Sequence, residues 1–133
     1  MPSIQKTSPI NIAITGLLAE SRRMKVISNN IANTLTTHGP DGAPYRRQVV
    51  RLSTDPSGGV SVSGVTSDNV TPLKKIYEPG NPDASEDGYV DMPNVEVPVE
   101  MIALIESSRS YQANAAVMKR YLEMVDLTTE LLK

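Results

Sequence analysis

The 133-residue chain has no cysteine, no phenylalanine and no tryptophan, and only one histidine, His38. Without cysteine there can be no disulfide, thiolate zinc site or cysteine nucleophile. One histidine rules out any site that takes two imidazoles from one chain. Five tyrosines are the only aromatic residues. Large aromatics normally supply much of a compact core's buried area, so this chain must bury aliphatic stripes over a long length or share a core with other chains. The formal net charge of -2, with no face that collects Lys and Arg, argues against nucleic-acid binding. No apolar run approaches the roughly 18 residues of a membrane span. Residues 1–6 have no apolar segment behind their charge, so no cleavable secretory signal is expected. The length suits one ordinary domain.

Glycine and proline divide the chain. Seven of eight glycines fall between Gly39 and Gly88, and eight of ten prolines between Pro40 and Pro98. Both residues break helices, so the flanks read as helical and the middle as irregular or β. The expected fold class is α+β, with a helical unit over residues 1–34, a β-rich insert with extended loops over 35–97, and a second helical unit over 98–133.

The C-terminal flank places Met101, Leu104, Ser108, Tyr111, Ala115, Met118, Leu122, Val125, Thr129 and Leu132 at alternating spacings of three and four. A 3.5-residue repeat held this long is a coiled-coil seam. About 35 helical residues make a rod roughly 50 Å long, whereas a compact chain of this length is only about 30 Å across. The rod must project or lie along a partner. Ile10, Ile14, Leu17, Ser21, Met24, Ser28 and Ile31 repeat the spacing in the N-terminal flank, diluted by serine and softened by Gly16. Alone that helix is marginal, so the two flanks are expected to pair. Pro98 suits a first helical position, and Glu100 near it complements the helix dipole.

Asn29, Asn30 and Asn33 close the first helix. They read either as a fraying end capped by Asn33, which is favoured, or as amides bonded to a neighbouring helix or subunit. In the middle, residues 45–52, 60–65 and 70–77 read as short strands, the last interrupted at Pro72 as at a sheet edge. Three or four strands are expected.

Asp83-Ala84-Ser85-Glu86-Asp87-Gly88 matches the first half of a calcium loop. Its twelfth position is Asn94 rather than a bidentate glutamate, and prolines replace the flanking helices. An ordinary acidic turn is the better reading. His38 sits in a polar loop with no base or orienting group beside it. Tyr45-Arg46-Arg47 and Lys74-Lys75 read as solvated strand faces in preference to contacts with an acidic neighbouring subunit. Gly58-Gly59 has no lysine or following helix to make a phosphate loop. No catalytic, metal or cofactor residue is assigned.

Several segments are more particular than periodicity. Ser28-Asn29-Asn30-Ile31-Ala32-Asn33-Thr34 resembles the N-terminal signature of the bacterial flagellar rod and hook protein family. Ser107-Ser108-Arg109-Ser110-Tyr111-Gln112-Ala113-Asn114 resembles its C-terminal one. Residues 39–46, 77–82 and 88–95 are similar to proximal-rod members of that family, and the resemblance spans nearly the whole chain. It implies a non-enzymatic structural subunit whose terminal helices form an antiparallel coiled coil packed around a hollow rod. It also implies partners (copies of itself, FlgB, FlgF, FlgG and FliE), export through the flagellar type III apparatus, and a place in the basal-body rod spanning the periplasm.

On this reading Leu17, Met24 and Ile31 face Tyr111, Met118, Leu122 and Val125 within the pair or across subunits. Asn29, Asn30, Asn33, Arg109, Gln112 and Asn114 fix register, as buried amides do in coiled coils. Closing the loop of about sixty residues between the helices costs a few kcal/mol, so the free chain is expected to order its ends only on docking. Two rivals share part of the pattern. A generic coiled-coil adaptor shares the helices but not the Asn/Gln-rich signatures. A small hydrolase or calcium-dependent binder has only the half loop and His38.

Overall fold

The structure is a computed structural model that describes residues 8–132. Residues 1–7 and Lys133, including the stretch read for a secretory signal, lie outside the described residues. The architecture is α+β, as the sequence implies. Helix α1 (Pro9–Ala32) is followed by strands β1 (Gln48–Asp55), β2 (Gly59–Ser67), β3 (Lys74–Tyr77) and β4 (Tyr89–Met92), then by helix α2 (Val97–Leu131).

Proline opens both helices within the first two positions, where its missing N–H leaves nothing unpaired. Helix α1 stops at Asn33, whose side-chain amide donates to the Asn29 carbonyl over 2.8 Å. Helix α2 runs for 35 residues, roughly 50 Å.

The insert is two separate antiparallel hairpins, β1–β2 and β3–β4. The first turns through Asp55, which accepts from the Ser57 N–H and hydroxyl, and Gly58 at φ 82°. A bulge between Arg51 and Leu52 leaves Ser63 as the extra residue, and its hydroxyl donates to the Arg51 carbonyl over 3.1 Å. The extended run expected from residue 70 becomes a strand only at Lys74, beyond Pro72. Its partner β4 had no strand signal of its own in the periodicity. Tyr77 and Tyr89 stack edge to face across the second hairpin at 5.3 Å.

Helix α1 lies between two neighbours. On one side the Thr15 hydroxyl accepts from the Val60 N–H over 3.2 Å, so the β1–β2 ribbon runs along the helix towards its start. On the other side lies α2. Gly16 is so close that a Cβ on it would sit 2.8 Å from Asn114 Nδ2, and Asn30 Nδ2 donates to Glu100 Oε2 over 3.0 Å. Residue numbers add to 130 in both contacts, so the helices are antiparallel in one register. Pro9 is then level with about residue 121, and residues 122–131 of α2 pass beyond the first turn of α1 by roughly 15 Å.

The core is small. Among the described residues its buried apolar side chains are Ala13, Ala19, Val26, Ile27, Val90, Pro93 and Val95. Among the largest fully buried side chains are Glu100 and Asn30. The accessible surface is 9556 Å², against roughly 6,800 Å² for a compact monomer of this mass. No helix among the described residues is long and apolar enough to cross a membrane.

Candidate functional site

Two features stand out: a buried polar hub where the helices meet the insert, and a long aliphatic flank left at the surface.

Asn30 makes the hub. Its Oδ1 accepts from the Tyr45 hydroxyl at 2.8 Å and from the Gln48 N–H at 2.9 Å. Its Nδ2 donates to the Gln48 carbonyl at 2.9 Å as well as to Glu100. The other Glu100 oxygen accepts from Arg47 Nε at 2.5 Å. The Arg47 N–H donates to Asn94 Oδ1, and Asn94 Nδ2 donates to the carbonyls of Asp68 and Thr71. Asn30 and Glu100 are fully buried, and burial without partners would be costly. Here every polar group of the Asn30 amide is engaged, and α1, β1, the loop before β3 and the start of α2 are fixed to one another.

The electrostatics follow from these contacts. Burial, and then the Glu100 charge, push the Tyr45 hydroxyl above its ordinary value. Asp68 is held below the ordinary carboxylate value by the Thr71 N–H and hydroxyl, with smaller help from the Val70 N–H and Arg47. Arg47 is therefore not the solvated strand residue expected from Tyr45-Arg46-Arg47, and Lys74 reaches the Val95 carbonyl at 3.3 Å. Glu100 lies in the first turn of α2, as expected, and is also an ion-pair partner inside the molecule.

The expected helix seams are placed less simply. Leu17, Met24, Ile31 and Met118 are half-buried, whereas Ile14, Tyr111, Leu122 and Val125 are exposed at 39%, 38%, 48% and 42%. The line of α2 that meets α1 lies about one residue round from the aliphatic stripe, through Glu100, Ala103, Ser107 and Asn114. Small and polar groups let the backbones approach at Gly16, and the aliphatic stripe is left along the edge. Asn33 caps its own helix, Asn29 is exposed, and Asn30 and Asn114 lie at the helix–helix contact. Arg109 and Gln112 line a shallow depression with Leu104, Ile105 and Ser108, made by α2 alone.

Periodicity missed the hub residues Tyr45, Arg47, Asn94 and Glu100. One signal was available: Glu100 is the lone charge in the run Val97-Pro98-Val99-Glu100-Met101-Ile102-Ala103-Leu104-Ile105. A charge set among apolar residues at a helix start calls for a partner.

Of the residues weighed for other chemistry, His38 and Asp83 come together as an exposed loop contact. Asp83 accepts from the Thr37 hydroxyl at 2.7 Å and lies 3.8 Å from His38 Nδ1, tying the loop after α1 to the turn before β4. Gly88 supplies that turn's positive φ of 78°. Among the described residues no group of three or more His, Cys, Asp or Glu side chains could hold a metal ion.

Comparison with known proteins follows the two helices. The family described as "Flagella basal body rod protein" matches residues 10–39, and "Flagellar basal body rod FlgEFG protein C-terminal" matches residues 86–131. Over 119 residues the chain is 43% identical to the flagellar basal-body rod protein FlgC of Salmonella typhimurium, covering 86% of this chain and 89% of that protein. With the FlgC of Borreliella burgdorferi it shares 40% identity over 133 residues, covering 84% and 87%. With that of Bacillus subtilis it shares 35% over 130 residues, covering 82% and 86%.

Proposed function

Because the chain belongs to the flagellar basal-body rod protein family, a structural component of the flagellar basal body, we propose that it builds the proximal rod through its terminal helices. In this reading it joins copies of itself and FlgB, FlgF, FlgG and FliE subunits in a hollow drive shaft. It reaches that place unfolded, through the flagellar type III apparatus, and it has no catalytic role.

One observation carries the assembly reading: the line of α2 that meets α1 runs through small and polar residues, Glu100, Ala103, Ser107 and Asn114, and much of the aliphatic surface of α2 is left outside. Met101, Ile105, Leu122 and Val125 are exposed at 54%, 53%, 48% and 42%. Such a flank is a liability on a lone soluble chain and an asset on a subunit whose neighbours cover it. The excess surface points the same way, since stable protein interfaces bury about 1,200–2,000 Å². Residues Leu17, Met24, Ile31, Tyr111, Met118, Leu122 and Val125 supply apolar contact. Asn30 and Asn114 set the register within the subunit, and Asn29, Asn33, Arg109 and Gln112 are offered to neighbours.

The small core also suits export. The few buried apolar side chains among the described residues, none larger than Ile27, leave little burial energy to overcome when the chain is drawn out. Basal bodies purified from cells carrying a tagged copy test the reading. The tag should map to the rod, and cells lacking the gene should build none.

A further inference from the structure

The end of α2 is both apolar and acidic. Leu122, Met124, Val125, Leu127 and Leu131 are exposed, and between their two lines run Glu123, Asp126 and Glu130, with no basic residue in the last turn. The outer line of α1 has the opposite character. Ile14 and Leu18 are exposed at 39% and 66%, and Arg22 and Lys25 follow on the same face, both exposed. Arg23 is occupied by Glu20 at 3.2 Å, but neither Arg22 nor Lys25 is in an ion pair among the described residues. On the acidic side Glu123 lies 3.9 Å from Lys119, while Asp126 and Glu130 are in no ion pair among the described residues. The spacing of three from Arg22 to Lys25 matches that from Glu123 to Asp126.

These patches cannot meet within one chain. In the observed register Arg22 is level with about residue 108, so Asp126 lies roughly 27 Å farther along the pair. We propose that the acidic, apolar end of α2 docks on the Arg22–Lys25 line of α1 in a second copy. This rests on the assembly reading above and names its contact. The two patches differ and are displaced along the axis, so the contact is head-to-tail. A head-to-tail contact that does not close into a ring repeats as an open helical array. Opposite charge sets partner and register, and the flanking Leu and Ile side chains add the buried area.

Two measurements in flagellate cells test it. The chain has no cysteine, so R22C/D126C introduces the only thiols. Oxidising isolated basal bodies should give a ladder in multiples of 14.4 kDa, while each single cysteine variant stays monomeric. Separately, R22E/K25E and E123K/D126K/E130K should each lower rod incorporation about tenfold, and the two chains expressed together should recover to within about threefold of wild type. Each then offers the other a matched contact. Absence of a ladder, a cross-linked product of another mass, or co-expression without recovery overturns the contact. Wild-type chain is scored in the same cells: its presence in the rod alongside such a result refutes the contact alone, and its absence refutes the assembly reading.

Discussion

The side-chain amide of Asn30 donates to the carboxylate of Glu100 over 3.0 Å, joining the last turn of α1 to the first turn of α2 across seventy residues of sequence. Both groups are fully buried. This bond and the Arg47 ion pair beside it hold the helices in antiparallel register where they meet the insert.

Replacing Asn30 with alanine leaves the Gln48 N–H and carbonyl, the Tyr45 hydroxyl and one Glu100 oxygen short of partners. N30A is expected to cost about 2–4 kcal/mol. Glu100→Ala strands Arg47, whose side chain is 30% exposed, so part of that charge can hydrate and the expected loss is about 1–3 kcal/mol. Urea denaturation followed by circular dichroism checks both through the midpoint.

A Cβ at Gly16 would sit 2.8 Å from Asn114 Nδ2, so a large residue there must displace the Asn114 side chain and push on the facing helix. G16L is expected to cost about 1–3 kcal/mol by overpacking. G16A is milder, because alanine's better helix propensity offsets a contact that falls mainly on the end of a flexible amide. Thermal melts of the two variants should rank them in that order below wild type.

Leu122 tests whether the aliphatic flank serves neighbours. It is 48% exposed, so L122D should change the stability of the free subunit by no more than about 0.5 kcal/mol. The same variant should fail to enter the rod, and cells carrying it should not spread in soft agar. Normal motility would remove Leu122 from the interface.

Tyr45 gives the hub a pH dependence. Its hydroxyl is raised above 10.0 in the folded chain, chiefly by burial and then by Glu100. Folding therefore opposes ionisation: the contribution is fully present below 10.0 and is lost as pH rises through that value and beyond. Y45F should flatten the alkaline fall in stability relative to wild type, measured as urea midpoints on either side of about pH 10.

How far the sequence could be read varies with the physics of each part. The two helices were legible because Gly and Pro crowd the middle and the flanks repeat at 3.5. The partner of each stripe was not. Periodicity locates the aliphatic line Met101–Leu122–Val125 but is silent on whether a helix's own chain or another chain covers it, and here the inner line runs through Glu100, Ser107 and Asn114. Asn29, Asn30 and Asn33 look alike in sequence. Only the position of Asn30 beside Gln48 and Glu100 separates it from a cap and an exposed amide. Residues 45–47 are β-prone, yet the strand begins at Gln48, because Tyr45 and Arg47 are held by hub contacts between distant segments.

Hydrogen exchange, residue by residue, in the free subunit and in assembled rods measures the division of labour most directly. Slow exchange in the free subunit should be strongest at the hub, at the end of α1, along β1 and in the first three turns of α2. The last four turns of α2 should exchange rapidly until the rod protects them. If those turns are as well protected in the isolated chain as in the rod, the aliphatic flank is already satisfied without neighbours and the account fails.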